Sequence, residues 1–296
     1  MKEIVFKGCA TAIVTPFDEN DNINFDEFRK LINFQIENNV NGIVVCGTTG
    51  ESATLSKGEK EELIKYCIKV VNKRVPVIVG VGSNNTKAVV ENEIYAEKMG
   101  ADGLLVVTPY YNKTTQNGLI EHYKIIAENT SIPIILYNVP SRTGMDILPE
   151  TYFKLSKIKN IVATKEASGD VSKILKIRKL CKDNLNIYSG NDDQIIPVLS
   201  LGGIGVISVL SNIMPKYTSQ MVEKYLTGET NEASNMQIEV ADLIETLFKE
   251  VNPIPIKKVL NTIGFNCGKP RLPLVECSSE LEKKIKILIN WKCRIS

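Results

Sequence analysis

The sequence contains very little histidine. Among 296 residues there is one histidine, His122. A single imidazole excludes most metal sites that need two, and it argues against a Ser-His-Asp hydrolase. His122 lies in "NGLIEHYKIIAEN", an amphipathic helical pattern, so we predict an ordinary helix-surface residue and not a catalyst. The chemistry is therefore expected to use lysine, tyrosine, threonine or arginine.

The cysteines lack the spacing of a metal site or a disulfide framework. Their number is odd, they are scattered, and no C-x-x-C pair occurs. We expect reduced thiols, no structural metal and a cytoplasmic location. The seven are Cys9, Cys46, Cys67, Cys181, Cys267, Cys277 and Cys293.

Excess charge of one sign and long apolar runs are also missing. The chain has 36 basic and 34 acidic residues, a net charge of +2, and no basic stripe. Nucleic acid and anionic membranes are therefore not expected partners. The first ten residues, "MKEIVFKGCA", hold no apolar stretch long enough for a signal peptide, and no window approaches a membrane span of about 20 residues.

Short apolar runs alternate with helical patterns along most of the chain. The runs are continuous rather than alternating, as in parallel strands covered on both faces. Eight such units predict an α/β fold, a (β/α)8 TIM barrel, which takes about 250 residues. A doubly wound open sheet is the alternative, but no strand-helix junction carries G-x-G-x-x-G. The runs are "CATAIVTP", "GIVVCG", "VPVIVGVG", "DGLLVVTP", "IPIILYN", "NIVATKEA", "LNIYSG" and "GVISVL".

The barrel pattern ends near residue 228. We predict that residues 1–228 form the barrel that carries the active site. Residues 229–296 then form a helical extension packed on it, because only helical patterns follow: "MQIEVADLIETLFKE", "PIPIKKVLNTIG" and "SSELEKKIKILINW".

Polar residues collect at the carboxyl ends of the predicted strands, where barrel enzymes have their active sites. In "GTTGES" two glycines permit a tight turn, and Thr48 and Thr49 add two hydroxyls that can help to hold a carboxylate. A plain strand-to-helix turn is the alternative, since Ser56 and Glu59 have capping-box spacing. In "LYNVPSRTG", Arg142 can bind a carboxylate at two points, or it is a surface loop residue.

Lys165 ends the predicted strand "IVAT". A buried lysine is either paired or used, because desolvating an ammonium is costly. It is therefore a nucleophile toward a carbonyl, with Tyr137 as its proton shuttle, or the partner of a carboxylate such as Glu166 or Asp192. A phosphorylated substrate is not expected, because Asp192 and Asp193 follow the seventh strand.

The motifs "GTTGES", "YYNK", "YNVPSRTG" and "KEASGD", in this order, resemble the dihydrodipicolinate synthase family of pyruvate-dependent class I aldolases. The likeness runs from "ATAIVTPF" to "GKPRLPL". It implies a barrel with a helical extension, usually a homotetramer built from two tight dimers, without metal or organic cofactor. The implied reaction condenses pyruvate with L-aspartate 4-semialdehyde to 4-hydroxy-tetrahydrodipicolinate, the committed step of diaminopimelate and lysine biosynthesis.

The resemblance also implies a role for each matching residue. Lys165 forms the imine with pyruvate, and Tyr137 is the acid-base residue, linked through Thr48 to Tyr111 from a neighbouring subunit. By the same resemblance, Thr49 holds the pyruvate carboxylate and Arg142 holds the carboxylate of the semialdehyde. Gly190 and Ile207 line the pyruvate pocket.

A lysine-effector site of the family is degenerate in this sequence. In members of the family that lysine inhibits, histidines and a glutamate commonly bind the effector, and Lys57, Lys60 and Ala88 stand at those positions here. Two lysine side chains would therefore face a cationic effector, and the carboxylate is missing. Because like charges repel at short range, we expect little or no inhibition by lysine. In a separate departure from the family pattern, Thr164 stands directly before Lys165, where the family usually has an aliphatic residue. The matching effector positions are Ser52, Ala53, Lys57, Lys60, Asn84, Ala88 and Tyr110.

Two other functions remain as alternatives. One is a sister lyase that acts on N-acetylneuraminate or a 2-keto-3-deoxy sugar acid; Arg142 favours a short carboxylate substrate over a polyhydroxylated chain. The other is a non-enzymatic barrel that binds a keto acid, which would not explain a lysine at a strand end beside a tyrosine and two threonines.

Overall fold

The computed structural model describes residues 2–292, with side chains through residue 288. Eight parallel strands in this range close into a barrel in sequential order, with β8 paired to β1. The predicted barrel is confirmed: seven of the predicted runs contain a whole strand, and the first run overlaps β1, which begins one residue earlier at Gly8. The strands are β1 Gly8–Ala12, β2 Gly42–Val45, β3 Val77–Gly80, β4 Gly103–Val107, β5 Ile134–Asn138, β6 Ile161–Glu166, β7 Asn186–Ser189 and β8 Gly205–Ser208.

Helices connect the strands on the outside of the barrel. Side-chain caps begin several of them, and Ser56 with Glu59 forms the predicted capping box at the start of the second helix. Two short helices, rather than one, separate β5 from β6. The helices are α1 Phe25–Glu37, α2 Lys57–Val71, α3 Thr86–Met99, α4 Gln116–Glu128, α5 Pro140–Thr143, α6 Pro149–Leu155, α7 Val171–Cys181, α8 Ile195–Ser200 and α9 Pro215–Thr227.

The helical extension follows directly after the barrel. Gly228 ends α9 with a φ of +103°, a left-handed conformation that suits glycine. The next helix begins at Thr230, six residues before the predicted start, because only Ala233 within it is buried and the apolar periodicity is correspondingly weak. The four helices are α10 Thr230–Glu239, α11 Ala241–Leu247, α12 Ile254–Thr262 and α13 Ser279–Lys292.

Side chains alternate between two apolar layers along the strands. On β5, Leu136 packs between the barrel and the helices, whereas Tyr137 belongs to the cluster inside the barrel. Period-2 alternation therefore sends Tyr137 inward. At about 25 cal/mol per Å² of apolar surface, these two layers supply the main driving force for folding.

The prediction for His122 was wrong in one respect. His122 is buried rather than on the helix surface, and its Nδ1 lies 2.9 Å from the Thr86 hydroxyl of α3. Burial lowers the pKa of His122 to about 4, so the imidazole is neutral at physiological pH. The helical pattern marks the buried face of α4, but it does not reveal that α3 packs over the imidazole.

The six cysteines in the described range are free thiols, five of them buried, while Cys293 lies outside that range. Within residues 2–292, no helix combines the length and the apolar character that crossing a bilayer requires.

Candidate active site

Strand register places Tyr137 and Lys165 side by side. The two residues are Cα partners in the β5–β6 ladder, near the carboxyl ends of both strands. Lys165 Nζ lies 4.3 Å from the centroid of the Tyr137 ring, and both side chains are only 6% exposed. The phenol is therefore adjacent to the amine, as a proton shuttle requires.

Both residues line a small cavity of about 160 Å³ at the carboxyl ends of the strands, called here the catalytic cavity. Six of the eight predicted catalytic and substrate-binding residues meet there, although they come from four different strand ends. These six are Thr48, Thr49, Tyr137, Arg142, Lys165 and Gly190. The remaining lining residues are Val139, Ser141, Ala167, Asn191, Val209, Phe248 and Asn252.

Lys165 differs from the other buried lysines in having no carboxylate partner. Lys257 Nζ lies 2.7 Å from Glu51 Oε1, and Lys173 forms an ion pair with Asp146. Lys165 is as buried as Lys173, yet within residues 2–292 it makes no ion pair. A buried amine that structural pairing does not explain is a candidate for chemistry.

Glu166 is not the counter-ion of Lys165. Successive side chains of a strand point to opposite faces, so the side chain of Glu166 points away from the barrel interior into which Lys165 points. Its carboxylate accepts hydrogen bonds of 2.7 Å from the Tyr152 hydroxyl and 3.1 Å from Asn138 Nδ2. Thr164 lies on the same side and hydrogen-bonds the Tyr152 hydroxyl at 3.3 Å, so a threonine at this position extends the network outside the barrel.

Asp192 is also occupied by other donors. Its Oδ2 accepts hydrogen bonds from the backbone N–H groups of Val209 and Leu210, at 3.0 and 2.9 Å. Burial raises the pKa of this carboxyl, while these donors and the charge of Lys165 act in the opposite direction. The charge of Lys165 therefore acts on the Asp192 carboxyl through space, and the two side chains form no ion pair within the described part of the chain.

Asn252 is a site residue that sequence reasoning missed. Its Nδ2 donates a 3.0 Å hydrogen bond to Thr49 Oγ1, and its backbone carbonyl accepts one of 3.2 Å from Arg142. Asn252 thus connects the two residues expected to bind substrate carboxylates. The "NP" pair in "VNPIP" is a turn signal. That signal gives no indication that a residue of the extension reaches the barrel mouth.

Gly190 allows the chain to approach Lys165 closely. A Cβ atom at this position would lie 2.6 Å from Ala167 Cβ and 3.1 Å from Lys165 Cγ. Ile207, in contrast, is absent from the cavity wall. It is 1% exposed and belongs to the apolar cluster inside the barrel that also contains Tyr137.

Tyr111 lies outside the catalytic cavity of its own chain. It is 90% exposed and has a φ of +69°, a conformation that is uncommon for bulky residues. Strained backbone of this kind is enriched at functional sites, although Tyr111 is one of nine non-glycine residues with a positive φ in the described part of the chain.

The seven predicted effector positions separate into two groups. Asn84 and Ala88 do not line the catalytic cavity or the larger cavity beside it. The other five line a second cavity of about 550 Å³ that shares Thr48, Val139, Arg142 and Asn252 with the catalytic cavity, and we call it the side cavity. These five are Ser52, Ala53, Lys57, Lys60 and Tyr110.

No cluster of three or more His, Cys, Asp or Glu side chains in the described part of the chain could hold a metal ion. The side chains that line the catalytic cavity offer an amine, a phenol, hydroxyls, amides and a guanidinium. This set suits covalent catalysis through the lysine, with general acid-base help.

Known proteins similar to the chain all point to one family. The model of the dihydrodipicolinate synthetase family matches residues 5–292. A 4-hydroxy-tetrahydrodipicolinate synthase of Clostridium acetobutylicum is 57% identical over 284 residues, 96% of each chain. That of Caldicellulosiruptor saccharolyticus is 53% identical over 286 residues, 96% of this chain and 97% of the relative.

Solved structures agree with the sequence relatives. The dihydrodipicolinate synthase of Thermotoga maritima superposes with a TM-score of 0.95 at 41% identity, over 97% of this chain and 98% of that one. The enzyme of Aquifex aeolicus gives a TM-score of 0.94 at 41% identity, over 96% and 97%. The chain therefore belongs to the dihydrodipicolinate synthetase family.

Proposed function

We propose that the chain is a lyase that condenses pyruvate with L-aspartate 4-semialdehyde. The product is 4-hydroxy-tetrahydrodipicolinate, and the reaction is the committed step of diaminopimelate and lysine biosynthesis. Membership of the family and the names of its close relatives support this activity. The observation that carries the chemistry is Lys165, a buried lysine without a carboxylate partner beside Tyr137 in the catalytic cavity.

The reaction begins with attack of Lys165 Nζ on the keto carbon of pyruvate. The carbonyl oxygen leaves as water, and the imine nitrogen then accepts the electrons released when a methyl proton departs. The resulting enamine carbon attacks the aldehyde carbon of the second substrate. The amine of that substrate finally displaces Lys165 and closes the ring, which returns the free lysine.

Tyr137 is the group that moves protons in these steps. Its ring lies against Lys165 Nζ, and Thr48 lines the same cavity and also the side cavity. We assign Thr48 as the link from Tyr137 toward Tyr111 of a neighbouring subunit. A hydroxyl is suited to this place because it both donates and accepts a hydrogen bond.

Thr49 binds the carboxylate of pyruvate, and Arg142 binds the carboxylate of the semialdehyde. Thr49 Oγ1 accepts its hydrogen bond from Asn252, so the hydroxyl proton of Thr49 stays available for the pyruvate carboxylate. Within residues 2–288 the Arg142 guanidinium donates one hydrogen bond, to the Asn252 carbonyl, and its other N–H groups are left for the carboxylate of the semialdehyde.

We expect Arg142→Ala to weaken use of the semialdehyde more than use of pyruvate. Loss of a charge-assisted contact should raise KM for the semialdehyde by about 10- to 100-fold, since such bonds contribute roughly 1.5–3 kcal/mol. Arg142→Lys keeps the charge but not the planar guanidinium, so its KM for the semialdehyde should lie between that of the unchanged protein and that of Arg142→Ala. Steady-state kinetics with each substrate varied in turn measures the difference, and an equal rise in both KM values would contradict the assignment.

The reaction itself is tested by offering competing aldehydes. Pyruvate consumption by the purified protein is measured with aspartate semialdehyde and, separately, with N-acetylmannosamine. We expect consumption only with the semialdehyde. Consumption with the sugar would keep Lys165 as the imine lysine but assign the protein to the sister lyases.

We also propose that the protein is cytoplasmic and forms a homotetramer built from two tight dimers. In each tight dimer, Tyr111 of one subunit completes the active site of the other. Tyr111 is 90% exposed in the single chain, and the adjacent Tyr110 is also exposed. Exposed aromatic side chains of this kind are typical of interface anchors.

Tyr111→Phe is therefore expected to lower kcat by about 10-fold or more while the oligomer persists, because the ring remains and the proton-carrying hydroxyl is lost. Sedimentation velocity and steady-state rates, measured on the same sample, separate the two effects. Full activity in the Tyr111→Phe variant would remove Tyr111 from the proton pathway.

L-Lysine is expected to inhibit weakly or not at all. Lys57 and Lys60 line the side cavity, and like charges at short range disfavour a cationic effector. A titration of the initial rate with L-lysine checks this. Strong inhibition at concentrations below about 1 mM, equivalent to a binding free energy beyond about 4 kcal/mol, would refute it.

A further inference from the structure

The register of the β5–β6 ladder shifts by one residue after its first pair. Ile134 pairs with Ile161, whereas the next residue of β5 pairs with Ala163. Val162 therefore has no partner on β5. An extra residue of this kind is a β-bulge, and bulges change the direction of the side chains that follow them, often beside active sites.

The shift decides which way Lys165 points. Ile161 lies in the layer between the barrel and the helices, whereas Val162 and Ala163 both belong to the cluster inside the barrel. Strict alternation from Ile161 would send the side chain of Lys165 outward, because the two residues are four positions apart. The unpaired residue reverses the alternation, so Lys165 points into the barrel, against the ring of Tyr137.

Neither Tyr137 nor Lys165 is held in place by a hydrogen bond of its own side chain. The ammonium lies against the ring, but within residues 2–288 neither it nor the Tyr137 hydroxyl makes a hydrogen bond. Their separation therefore depends on where the backbones of β5 and β6 place them.

The next pair along the same two strands is joined by hydrogen bonds. Asn138 and Glu166 are Cα partners, one residue beyond Tyr137 and Lys165, and their side chains lie on the outside of the barrel. Asn138 Nδ2 donates to both oxygens of the Glu166 carboxylate, at 3.1 and 3.2 Å. Both residues are fully buried. A buried contact between an amide and a carboxylate is strong and directional, and it favours one register of the two strands.

The Glu166 carboxylate also receives donors from outside the two strands. The Tyr152 hydroxyl of α6 donates to it at 2.7 Å, and the backbone N–H of Ser168 donates at 2.9 Å. Thr164 in turn donates to the Tyr152 hydroxyl at 3.3 Å. Every contact of Glu166 comes from a donor, which suits a carboxylate that acts only as an acceptor.

Asn138 is fixed from its other side. Its Oδ1 accepts a 3.1 Å hydrogen bond from the backbone N–H of Ile147, and its Nδ2 donates to Asp146 at 2.9 Å. Asp146 forms an ion pair with Lys173 of α7. We call this set of side chains the outer network; its members are Asn138, Asp146, Tyr152, Thr164, Glu166 and Lys173.

We infer that Asn138 and Glu166 are positioning residues for the proposed reaction, on which this inference rests. Their hydrogen bonds hold β5 and β6 in the shifted register, and the register sets the separation of the Tyr137 and Lys165 side chains inside the barrel. Proton transfer needs heavy atoms about 2.6–3.2 Å apart, and a displacement of about 1 Å can cost about 100-fold in rate. The outer network acts through the backbone and does not touch substrate.

The proton-transfer step is measured without the second substrate. In heavy water, pyruvate exchanges its methyl protons for deuterons when the Lys165 imine converts reversibly to the enamine. NMR follows the loss of the methyl signal at several pyruvate concentrations. Glu166→Gln keeps the size of the side chain but turns an N–H₂ group toward the donors of Asn138 and Ser168. Combining it with Asn138→Asp restores one amide facing one carboxylate.

We expect Glu166→Gln to lower the maximal exchange rate about 10-fold or more, while the pyruvate concentration for half-maximal exchange changes less than about threefold. The double variant should exchange at least about threefold faster than Glu166→Gln alone. Tyr152→Phe keeps the ring and removes only the hydroxyl, so it should lower the rate about threefold or more. This variant decides the question if Glu166→Gln does not fold.

Glu27→Gln is the matched control. Glu27 is a buried carboxylate that accepts a 2.9 Å hydrogen bond from the Asn266 N–H, and it does not line the catalytic cavity. Its exchange rate should stay within about twofold of the unchanged protein, because distant sites act independently.

Three results would overturn the positioning role. They are an unchanged rate in both Glu166→Gln and Tyr152→Phe, an equal loss in Glu27→Gln, and a double variant that is no faster than Glu166→Gln alone. No exchange by the unchanged protein would instead end the proposed imine chemistry, and the positioning role with it.

Discussion

Lys165→Ala is expected to abolish turnover. The variant has no amine to form the imine, so every later step loses its starting point. Loss of a covalent catalyst costs about 10³-fold or more in kcat, and here we expect activity to fall to background. Pyruvate consumption in the presence of the semialdehyde measures the effect, and mass spectrometry after borohydride reduction should find no pyruvate adduct.

Two variants serve as controls for the loss of Lys165. Lys165→Arg keeps a cation in the cavity but supplies no nucleophilic amine, so it should be equally inactive. Lys65→Ala removes an exposed lysine from α2 and should keep full activity and adduct formation. Normal activity in Lys165→Ala would disprove the imine mechanism, and an inactive Lys65→Ala would show that the assay reports folding instead.

The sequence predicted six of the residues that line the catalytic cavity, because strand ends are easy to find in a parallel barrel. Continuous apolar runs mark the strands, and the residues that follow them necessarily meet at one rim. Tyr137 and Lys165 end adjacent strands, so their contact follows from the register of β5 and β6. The ion-pair alternative for Lys165 could not be decided in this way, since it depends on where Glu166 and Asp192 find their donors.

Contacts between distant parts of the chain could not be predicted. Asn252 reaches Thr49, 203 residues earlier, through the packing of the extension over the barrel mouth. His122 is a polar residue on the apolar face of α4, and its burial depends on α3, which packs over it. Hydrophobic periodicity describes one element at a time, and it gives no information on which neighbour covers a given polar side chain.

The extension also holds the turn that carries Thr48 and Thr49. Glu51, in the same turn, has a φ of +54° and is buried together with Lys257 of α12. Its second oxygen accepts a 2.8 Å hydrogen bond from the backbone N–H of Arg271. Lys257 Nζ also donates to the Lys269 carbonyl at 3.1 Å. The turn is thereby tied to two segments of the extension.

We expect Lys257→Met to lower the free energy of unfolding by about 3–5 kcal/mol. The change keeps the apolar stem but leaves Glu51 as a buried charge without its cation, and breaking one side of a buried pair has this cost. Urea unfolding at a fixed protein concentration measures the loss, since oligomer stability depends on concentration. Lys258→Met, at the neighbouring half-buried position, is the matched control and should cost about 1 kcal/mol or less.

The double variant Glu51→Gln, Lys257→Met decides whether the ion pair with Glu51 or another contact of the Lys257 ammonium is responsible for the loss. Removing the stranded charge should restore part of the loss, so the double variant should be more stable than Lys257→Met alone, with a coupling on the order of 2 kcal/mol. A simple sum of the two single losses would mean that Lys257 acts through another contact of its ammonium, which lies 4.2 Å from the centroid of the Phe17 ring. Steady-state kinetics of the Lys257→Met variant test the ion pair in a second way. Since Glu51 lies two residues after Thr49, a loosened turn should raise KM for pyruvate even where the fold survives. An unchanged KM in Lys257→Met would limit the ion pair to a structural role.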